Sequence, residues 1–285
     1  MQRRLIAVAV AVLALVGAHS VQAQTDHPDP QVRDEVNARV DPLIDQRDFK
    51  ALDAIAAEDR SRDLRTPAGL PMLELFYEAV DGRVGDAEHR SRCASPLFDQ
   101  IAAWAKADPR SPTAVSLYAM ALNDRAWCYR GGDYADKVPG RDWGPFKSYI
   151  QQQRDWLDAH KAVGQADPEW YLNMEHVARA QGWSETDFLA LVRAGGERYP
   201  DYFPIWVSGM AFFNPRWYGD NAKMEAFARM AAQRTAPTEG KAIYARLYWH
   251  EFDALQLDNL RTQTDIDWTL MKGAMNDLTA RNPNS

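Results

Sequence analysis

The sequence has only two cysteines, Cys93 and Cys128, in 285 residues. Two cysteines exclude a small disulfide-rich scaffold and a zinc site made of four cysteines. Positive charge is also scarce, because 33 Lys and Arg stand against 40 Asp and Glu, a formal net charge of -7. A general nucleic-acid-binding protein needs excess positive charge to contact phosphates, so no nucleic-acid partner is expected.

The sequence also lacks an apolar run long enough to span a bilayer, which requires about 20 residues. The apolar run near the N-terminus covers only residues 5–17 and follows Arg3 and Arg4. With Val21 and Ala23 at the positions that a signal peptidase reads, it predicts a signal peptide over residues 1–23, cleaved after Ala23. An uncleaved anchor helix is the alternative. The protein is therefore expected to be periplasmic or secreted, without stable membrane insertion after cleavage.

Strand patterns are missing as well, since no sustained alternation of apolar and polar residues occurs. Apolar residues recur instead with the 3.6-residue period of amphipathic helices, as in Val115, Tyr118 and Leu122. Caps and proline stops divide the chain into helices predicted over residues 30–46, 48–60, 68–81, 95–107, 112–129, 142–163, 168–181, 185–198, 202–213, 221–234, 239–256 and 265–281. The sequence predicts one all-α domain over residues 24–285, with polar residues 81–92 as its longest flexible loop.

A short motif recurs at the junctions between helices. Ala-Asp-Pro ends one helix at residues 107–109 and another at residues 166–168, and a further helix follows within a few residues each time. Helix pairs joined in this way build tetratricopeptide-type arrays, so the sequence favours an α-solenoid of antiparallel helix pairs. An irregular all-α domain is the alternative, because no strict 34-residue period is visible.

Four segments in the same order carry a resemblance to a known family: AWCYRGGDYA at 126–135, DPEWYLNM at 167–174, PRWYG at 215–219 and YARLYW at 244–249. They resemble an exported bacterial family known only as a domain of unknown function (series 4034), over roughly residues 45–280. The resemblance implies a tetratricopeptide-like helical fold and brings no established activity. Members of that family continue into another helix pair, so the resemblance also implies that this chain either lacks its last repeat or is cut short.

The two cysteines lie near the far ends of two successive predicted helices. If those helices form an antiparallel hairpin that turns near Pro109, Cys93 and Cys128 come close to each other. In an oxidising compartment such a pair is expected to form a structural disulfide. A redox-active pair is the alternative, but it usually has the Cys-x-x-Cys spacing, which is absent here.

No recognisable catalytic motif is present, neither Gly-x-Ser-x-Gly, nor a phosphate-binding glycine loop, nor His-Glu-x-x-His. The adjacent pairs Glu175-His176 and His250-Glu251 could meet only across helices, because neighbouring residues on a helix point in different directions. A glycosidase would use paired carboxylates, for which Glu169, Asp265 and Asp267 are candidates near aromatic residues. We predict no catalytic residue, no metal and no cofactor.

Arginine next to aromatic residues is the most suggestive pattern. Three clusters show it, and Trp170 and Tyr171 complete the predicted partner-binding set: Arg130, Tyr134, Trp170, Tyr171, Arg216, Trp217, Tyr218, Tyr244, Arg246 and Tyr248. Arginine, tryptophan and tyrosine dominate protein-binding hot spots, and arginine also binds carboxylates in bidentate fashion. The structural alternative is that these side chains fill the spaces between stacked helices.

The function favoured by the sequence is therefore a non-enzymatic, exported helical-repeat protein that binds a protein or peptide partner. Its binding groove would be lined by arginine and aromatic residues. An exported enzyme, or a small-molecule binder that acts on a polar substrate, is the alternative. An open aromatic face would favour the first function, whereas a closed pocket with convergent carboxylates would favour the second. An uncapped end of such an array would also allow self-association.

Overall fold

The computed structural model describes residues 28–283. Within these residues the chain forms fifteen α-helices and one short 3-10 helix, and no β-strand. The predicted all-α fold class is confirmed. None of the helices in the described part is both long and apolar enough to cross a bilayer. The predicted signal peptide and its cleavage after Ala23 lie outside the described residues.

The helices, numbered along the chain, are α1 Pro28–Gln46, α2 Phe49–Arg62, α3 Met72–Arg90, α4 Pro96–Ala107, α5 Pro112–Arg130, α6 Trp143–Ala159, α7 Lys161–Gly164, α8 Glu169–Gln181, α9 Glu185–Arg198, α10 Pro204–Phe212, α11 Asn221–Arg234, α12 Ala236–Glu239, α13 Ala242–Ala254, α14 Leu260–Gln263 and α15 Trp268–Arg281. Local signals set several of their first turns. Ser111 and Ser184 accept hydrogen bonds from the backbone N–H groups of Ala114 and Asp187. Proline occupies the first turn of α4, α5 and α10, where its missing N–H costs nothing.

The predicted flexible loop over residues 81–92 is wrong, because α3 continues to Arg90. The second half of α3 has few apolar residues, and its sequence pattern therefore resembles that of a loop. Val84 and Glu88 are nevertheless buried. The Glu88 carboxylate accepts a hydrogen bond from Arg125 Nη2 at 2.8 Å, which ties this end of α3 to α5. A buried ion pair replaces the apolar contacts that the pattern lacks.

Alternate helices pack side by side to form a central row. In this row α1 contacts α3, α3 contacts α5, α5 contacts α8, α8 contacts α10, α10 contacts α13 and α13 contacts α15. The intervening helices α2, α4, α6, α9 and α11 each pack against members of the row. The large buried side chains Phe76, Leu117, Trp206 and Tyr244 all belong to helices of the central row. The hydrophobic core therefore follows the row from one end of the domain to the other.

The loop between α2 and α3 brings distant parts of the row together. Arg65 Nη2 donates a hydrogen bond to the carbonyl oxygen of Asp201 at 2.7 Å, and Arg246 Nη2 donates one to the carbonyl oxygen of Ala68 at 3.1 Å. Gly69 has a φ of 80°, and a Cβ atom built there would lie 2.6 Å from Asn282 Oδ1. The row therefore curves until the start of α3 meets α10, α13 and the end of α15.

The predicted disulfide is confirmed. Cys93, in the loop before α4, is bonded to Cys128 near the end of α5, and their Cα atoms are 5.7 Å apart. The Arg125 guanidinium lies one turn away, 3.5 Å from the centre of the Phe98 ring, and donates a hydrogen bond to the carbonyl oxygen of Ser95 at 3.0 Å. A disulfide is typical of proteins in a non-reducing compartment.

Candidate binding site

Two segments that are far apart in the sequence form one aromatic concavity of about 620 Å³, called the aromatic pocket below. The end of α5, the loop after it and the start of α6 provide one side, and the loop between α10 and α11 provides the other. The aromatic and arginine side chains that line it are Trp127, Arg130, Tyr134, Trp143, Phe146, Arg216, Trp217 and Tyr218. Five of the ten predicted partner-binding residues are therefore neighbours here: Arg130, Tyr134, Arg216, Trp217 and Tyr218.

The α5 side of the aromatic pocket is held in place by rings that meet edge to face and by one cation. The Arg130 guanidinium lies 4.7 Å from the ring centre of Trp127 and 5.3 Å from that of Trp143. It also donates hydrogen bonds to the carbonyl oxygens of Gly131 and Asp133, at 2.9 Å and 3.1 Å. Burial lowers the pKa of Arg130 from its ordinary value, but this side chain stays charged at neutral pH.

The opposite side is the loop between α10 and α11, which carries Arg216, Trp217 and Tyr218. The Trp217 ring meets the Trp127 ring edge to face, with their centres 6.0 Å apart. Arg216 Nη1 donates a hydrogen bond to the carbonyl oxygen of Ala254 at 2.8 Å, and the Tyr218 hydroxyl donates one to a backbone carbonyl of α8 at 2.8 Å. These bonds fix the loop and leave one face of Tyr218 in solvent.

The other five predicted partner-binding residues lie in the interior, and this placement corrects the prediction that they line the groove. Trp170, Tyr171, Tyr244 and Tyr248 are buried in the core. The hydroxyls of Tyr244 and Tyr248 donate hydrogen bonds to one carboxylate oxygen of a residue in α11, at 2.6 Å and 2.7 Å. Arg246 is stacked 4.3 Å from the ring centre of a phenylalanine that precedes α10. These side chains hold helices together, as the structural alternative expects.

A second concavity of about 450 Å³ adjoins the aromatic pocket, and Arg216 and Trp217 line both. We call it the acidic cavity. Its ionisable and hydroxyl-bearing lining residues are Glu74, Tyr77, Glu78, Asp81, Glu169, His176, Arg179, Tyr202, Ser208, Arg216 and His250. This cavity is not among the sites predicted from the sequence. A signal was present, because Glu74, Glu78 and Asp81 are spaced to lie on one face of α3.

Burial and mutual repulsion shift three carboxyl groups of the acidic cavity, those of Glu74, Asp81 and Glu169, toward their protonated forms. Desolvation, with the charge of Glu78, raises the pKa of Glu74 to about 8. Desolvation also raises the pKa of Asp81 to about 6, and it raises the pKa of Asp124, which is hydrogen-bonded to Asp81 from α5, well above its ordinary value. The pKa of Glu169 is raised in the same way. The cavity therefore holds protons that a nearby positive charge would displace.

The two histidines of the acidic cavity come from the two adjacent Glu–His pairs of the sequence. His176 of α8 and His250 of α13 both line the cavity, whereas their neighbours Glu175 and Glu251 are fully buried. Desolvation and the nearby Arg179 lower the pKa of His176 to about 3, so it stays neutral at pH 7. Among residues 28–283, no three His, Cys, Asp or Glu side chains are placed to hold a metal ion.

The carboxylate candidates for glycosidase chemistry do not converge. Glu169 lines the acidic cavity, but Asp267 lies at the start of α15, where its Oδ1 accepts hydrogen bonds from the backbone N–H groups of Thr269 and Leu270. Asp267 also forms an ion pair with Arg229. Its role is that of a helix cap, which explains why its pKa is lowered from the ordinary value.

Replacing Glu74 with glutamine is expected to flatten the dependence of stability on pH. Folded Glu74 keeps its proton up to about pH 8, but the unfolded chain releases it near pH 4.5, so the free energy of unfolding falls as the pH rises between these values. The nearby charges are Glu78, which raises this pKa, and Arg33, Arg65 and Arg246, which lower it. At pH 8 we expect the glutamine variant to be about 3 kcal/mol more stable than the wild type, since solvent in the cavity screens part of the effect.

Urea denaturation at pH 5, 6.5 and 8 measures this difference. Glu58→Gln, the same change on an exposed face of α2, serves as the matched control and should follow the wild type at each pH. If Glu74→Gln and the wild type lose stability in parallel between pH 5 and pH 8, Glu74 does not hold the proton assigned to it.

Comparisons with models of known protein families, with curated proteins and with solved structures found no match to this chain. The resemblance to the exported family of unknown function therefore stays a prediction.

Proposed function

We propose that this protein is a non-enzymatic, exported helical-repeat protein that binds a peptide segment of a partner protein in the aromatic pocket. The observation that carries the proposal is the convergence of Arg130 and Tyr134 with Arg216, Trp217 and Tyr218 in one concavity. Rigid aromatic side chains with arginine between them are the groups that dominate binding hot spots. Each aromatic side chain can bury a large surface area at a small cost in conformational entropy.

The packing of the helices supports a tetratricopeptide-like array as part of this proposal. Alternate helices form one continuous row, and the helices between them pack alongside it. Residues from α3, α5, α8, α10 and α13 of this row line the acidic cavity, so the row has a concave side. Helical arrays characteristically bind partners on such a surface. The disulfide and the predicted signal peptide support export.

The aromatic pocket is preformed, which favours binding. Arg216 and Tyr218 are fixed by hydrogen bonds to the backbone of other helices, and Arg130 is stacked between rings. A preformed site loses little entropy when a ligand binds. Tyr134 remains 66% exposed and Tyr218 44% exposed, so both offer ring surface to a partner. Arg216 is also exposed, and its remaining donors can bind a carboxylate or a backbone carbonyl of the peptide.

Replacing Trp217 with alanine is expected to lower the yield of the partner by about 30-fold or more, since hot-spot truncations cost 2 kcal/mol or more. The measurement is crosslinking in cells, followed by pull-down of the tagged protein and mass spectrometry. Trp249→Ala is the matched control, because Trp249 is 74% exposed and lies outside both concavities. Arg216→Ala should also lose partner with its stability kept, whereas Arg246→Ala should lose stability.

Thermal unfolding of each variant separates lost contacts from lost folding. A partner recovered equally with the wild type and with folded Trp217→Ala contradicts the proposal. Recovery of self-crosslinks alone contradicts it as well, and would make the concave side an interface between copies of this chain.

The acidic cavity favours a second candidate function, that of an exported enzyme or small-molecule binder acting on a polar substrate. Glu74, Asp81 and Glu169 line it together, and the raised pKa values of Glu74 and Glu169 keep these two protonated at neutral pH, as a general acid must be. A thermal-shift screen with sugars and amino-acid derivatives tests it. A compound that stabilises the wild type but not Glu169→Gln, and that the wild type converts to product, would establish the second function.

A further inference from the structure

The acidic cavity contains buried polar atoms that lack hydrogen-bond partners among the described residues. Tyr202 is only 7% exposed, it lines the cavity, and its hydroxyl makes no hydrogen bond. Nearby Glu74 has a buried carboxyl oxygen, Oε2, that likewise has no partner. Leaving a buried polar atom unpaired costs its desolvation free energy, so a site that contains two of them is suited to a polar ligand.

The charges around these atoms determine which kind of ligand fits. Glu169 and Glu74 are close enough to Tyr202 to raise the pKa of its hydroxyl. Asp81 also lies close to Glu169, and its charge raises the pKa of that carboxyl. Carboxyl groups that converge in a partly dehydrated space repel each other when they ionise. A positive group between them would let them ionise and would supply N–H donors to the unpaired oxygens, whereas a neutral donor leaves the repulsion in place and an anion adds to it.

The positive residues in and near the cavity do not already pair with these carboxyl groups. Arg179 is stacked 5.3 Å from the ring centre of Trp217, and the carboxylates whose charge acts on it are Glu175 and Glu251. Arg216 donates a hydrogen bond to the carbonyl oxygen of Ala254. Arg246, whose charge lowers the pKa of Glu74, is held by an ion pair and by its contact with the loop before α3. Glu78 is paired with Arg33 of α1, but Glu74, Asp81 and Glu169 form no ion pair with any of the described residues.

We propose that the acidic cavity binds the ammonium or guanidinium group of a lysine or arginine in the same peptide whose aromatic residue occupies the aromatic pocket. Glu74, Glu169 and Tyr202 accept its N–H groups. This inference rests on the proposed function, because it assigns a second residue of the bound peptide. Arg216 and Trp217 line both concavities, so the basic and the aromatic residue lie within a few positions of each other.

Selection from a random dodecapeptide library displayed on phage tests the proposal against the purified, disulfide-bonded protein. The enriched peptides are expected to carry lysine or arginine within about four positions of an aromatic residue. The double variant Glu74→Gln/Glu169→Gln should bind the best of these peptides about 30-fold more weakly, since truncating a buried charge pair costs 2 kcal/mol or more. The peptide with glutamine in place of its basic residue should bind the wild type just as weakly.

The outcomes separate this inference from the proposed function. If no peptide is enriched over the Trp217→Ala protein, the proposed function fails and the inference fails with it. If enrichment depends on Trp217 but shows no basic residue, and the double variant binds as the wild type does, the proposed function stands and the inference is overturned. Enrichment of acidic residues beside the aromatic one overturns it too.

Controls keep the test independent of folding. Thermal unfolding shows whether the double variant is folded, and removal of buried carboxyls with raised pKa values should not destabilise it at pH 7.5. Asp81→Asn is a second variant that disturbs folding less, because the Asp81 side chain is partly exposed to solvent in the cavity. It should weaken binding of the same peptide about 10-fold, because one negative charge beside the bound cation is lost. Glu58→Gln, on the outer face of α2, should bind as the wild type does.

Discussion

Replacing Asp167 with alanine is expected to lower the free energy of unfolding by about 3–5 kcal/mol. The Asp167 side chain is fully buried and joins three helices, α2, α3 and α8. Its carboxylate forms an ion pair with Arg60 of α2, accepts a hydrogen bond from the Tyr77 hydroxyl of α3 at 2.6 Å, and accepts one from the backbone N–H of Glu169 at 2.9 Å. Without it, Arg60 and Tyr77 lose their shared partner in the interior.

Urea denaturation at pH 7 measures this loss. Asp167→Asn is the informative comparison, because an amide oxygen can still accept the hydrogen bond from Glu169 and keep the start of α8, while the charge that pairs with Arg60 is gone. The asparagine variant should therefore fall between the wild type and Asp167→Ala. Asp155→Ala, on an exposed face of α6, should lose less than about 0.5 kcal/mol. A loss below about 1 kcal/mol for Asp167→Ala would show that the buried ion pair does not hold α2, α3 and α8 together.

Removing the disulfide is expected to cost about 4 kcal/mol in the chain-entropy model. Cys93 and Cys128 are separated by 35 positions, and their bond closes a loop that contains α4 and most of α5. The bond stabilises the protein because it restricts the unfolded chain, so the double variant Cys93→Ser/Cys128→Ser should unfold at a lower urea concentration. The neighbouring Arg125–Glu88 ion pair remains in that variant and keeps the end of α3 near α5.

Mass spectrometry identifies the bond before stability is compared. Protein that is exported and purified without reductant should be about 2 Da lighter than the reduced chain and should not react with an alkylating agent. The wild type measured with reductant is the internal control and should unfold as the double serine variant does. If oxidised wild type and double variant unfold at the same urea concentration, the bond does not restrict the unfolded chain as expected. Two reactive thiols in the exported protein would contradict the disulfide itself.

The predicted partner-binding set shows how far residue type can indicate a binding site. Trp217 and Trp170 share one sequence pattern, because each is followed directly by a tyrosine. Trp217 lines the aromatic pocket, whereas Trp170 is buried and its Nε1 donates a hydrogen bond to the backbone of α6. Large aromatic side chains suit a helical core and a binding surface equally well, so only their exposure distinguishes the two roles.

The acidic cavity shows the opposite case, in which ordinary polar residues acquire a special environment. Glu74, Glu78 and Asp81 have the spacing of one helix face, which by itself is typical of a surface exposed to solvent. In the structure that face is opposed by Glu169 of α8 and by Tyr202. The raised pKa of Glu74 is a consequence of this convergence and of the burial that comes with it.

The sequence by itself determined where most of the helices begin and end, that the fold is all-α, and that Cys93 pairs with Cys128. Each of these features depends on caps, prolines and apolar periodicity within one helix or one helix hairpin. The tertiary structure alone decided that residues 81–90 are helical, that the loop after α2 meets Asp201, and that Arg130 and Trp217 share a pocket. The reason is that such contacts depend on the summed packing angles of many successive helices, and no local pattern specifies that sum.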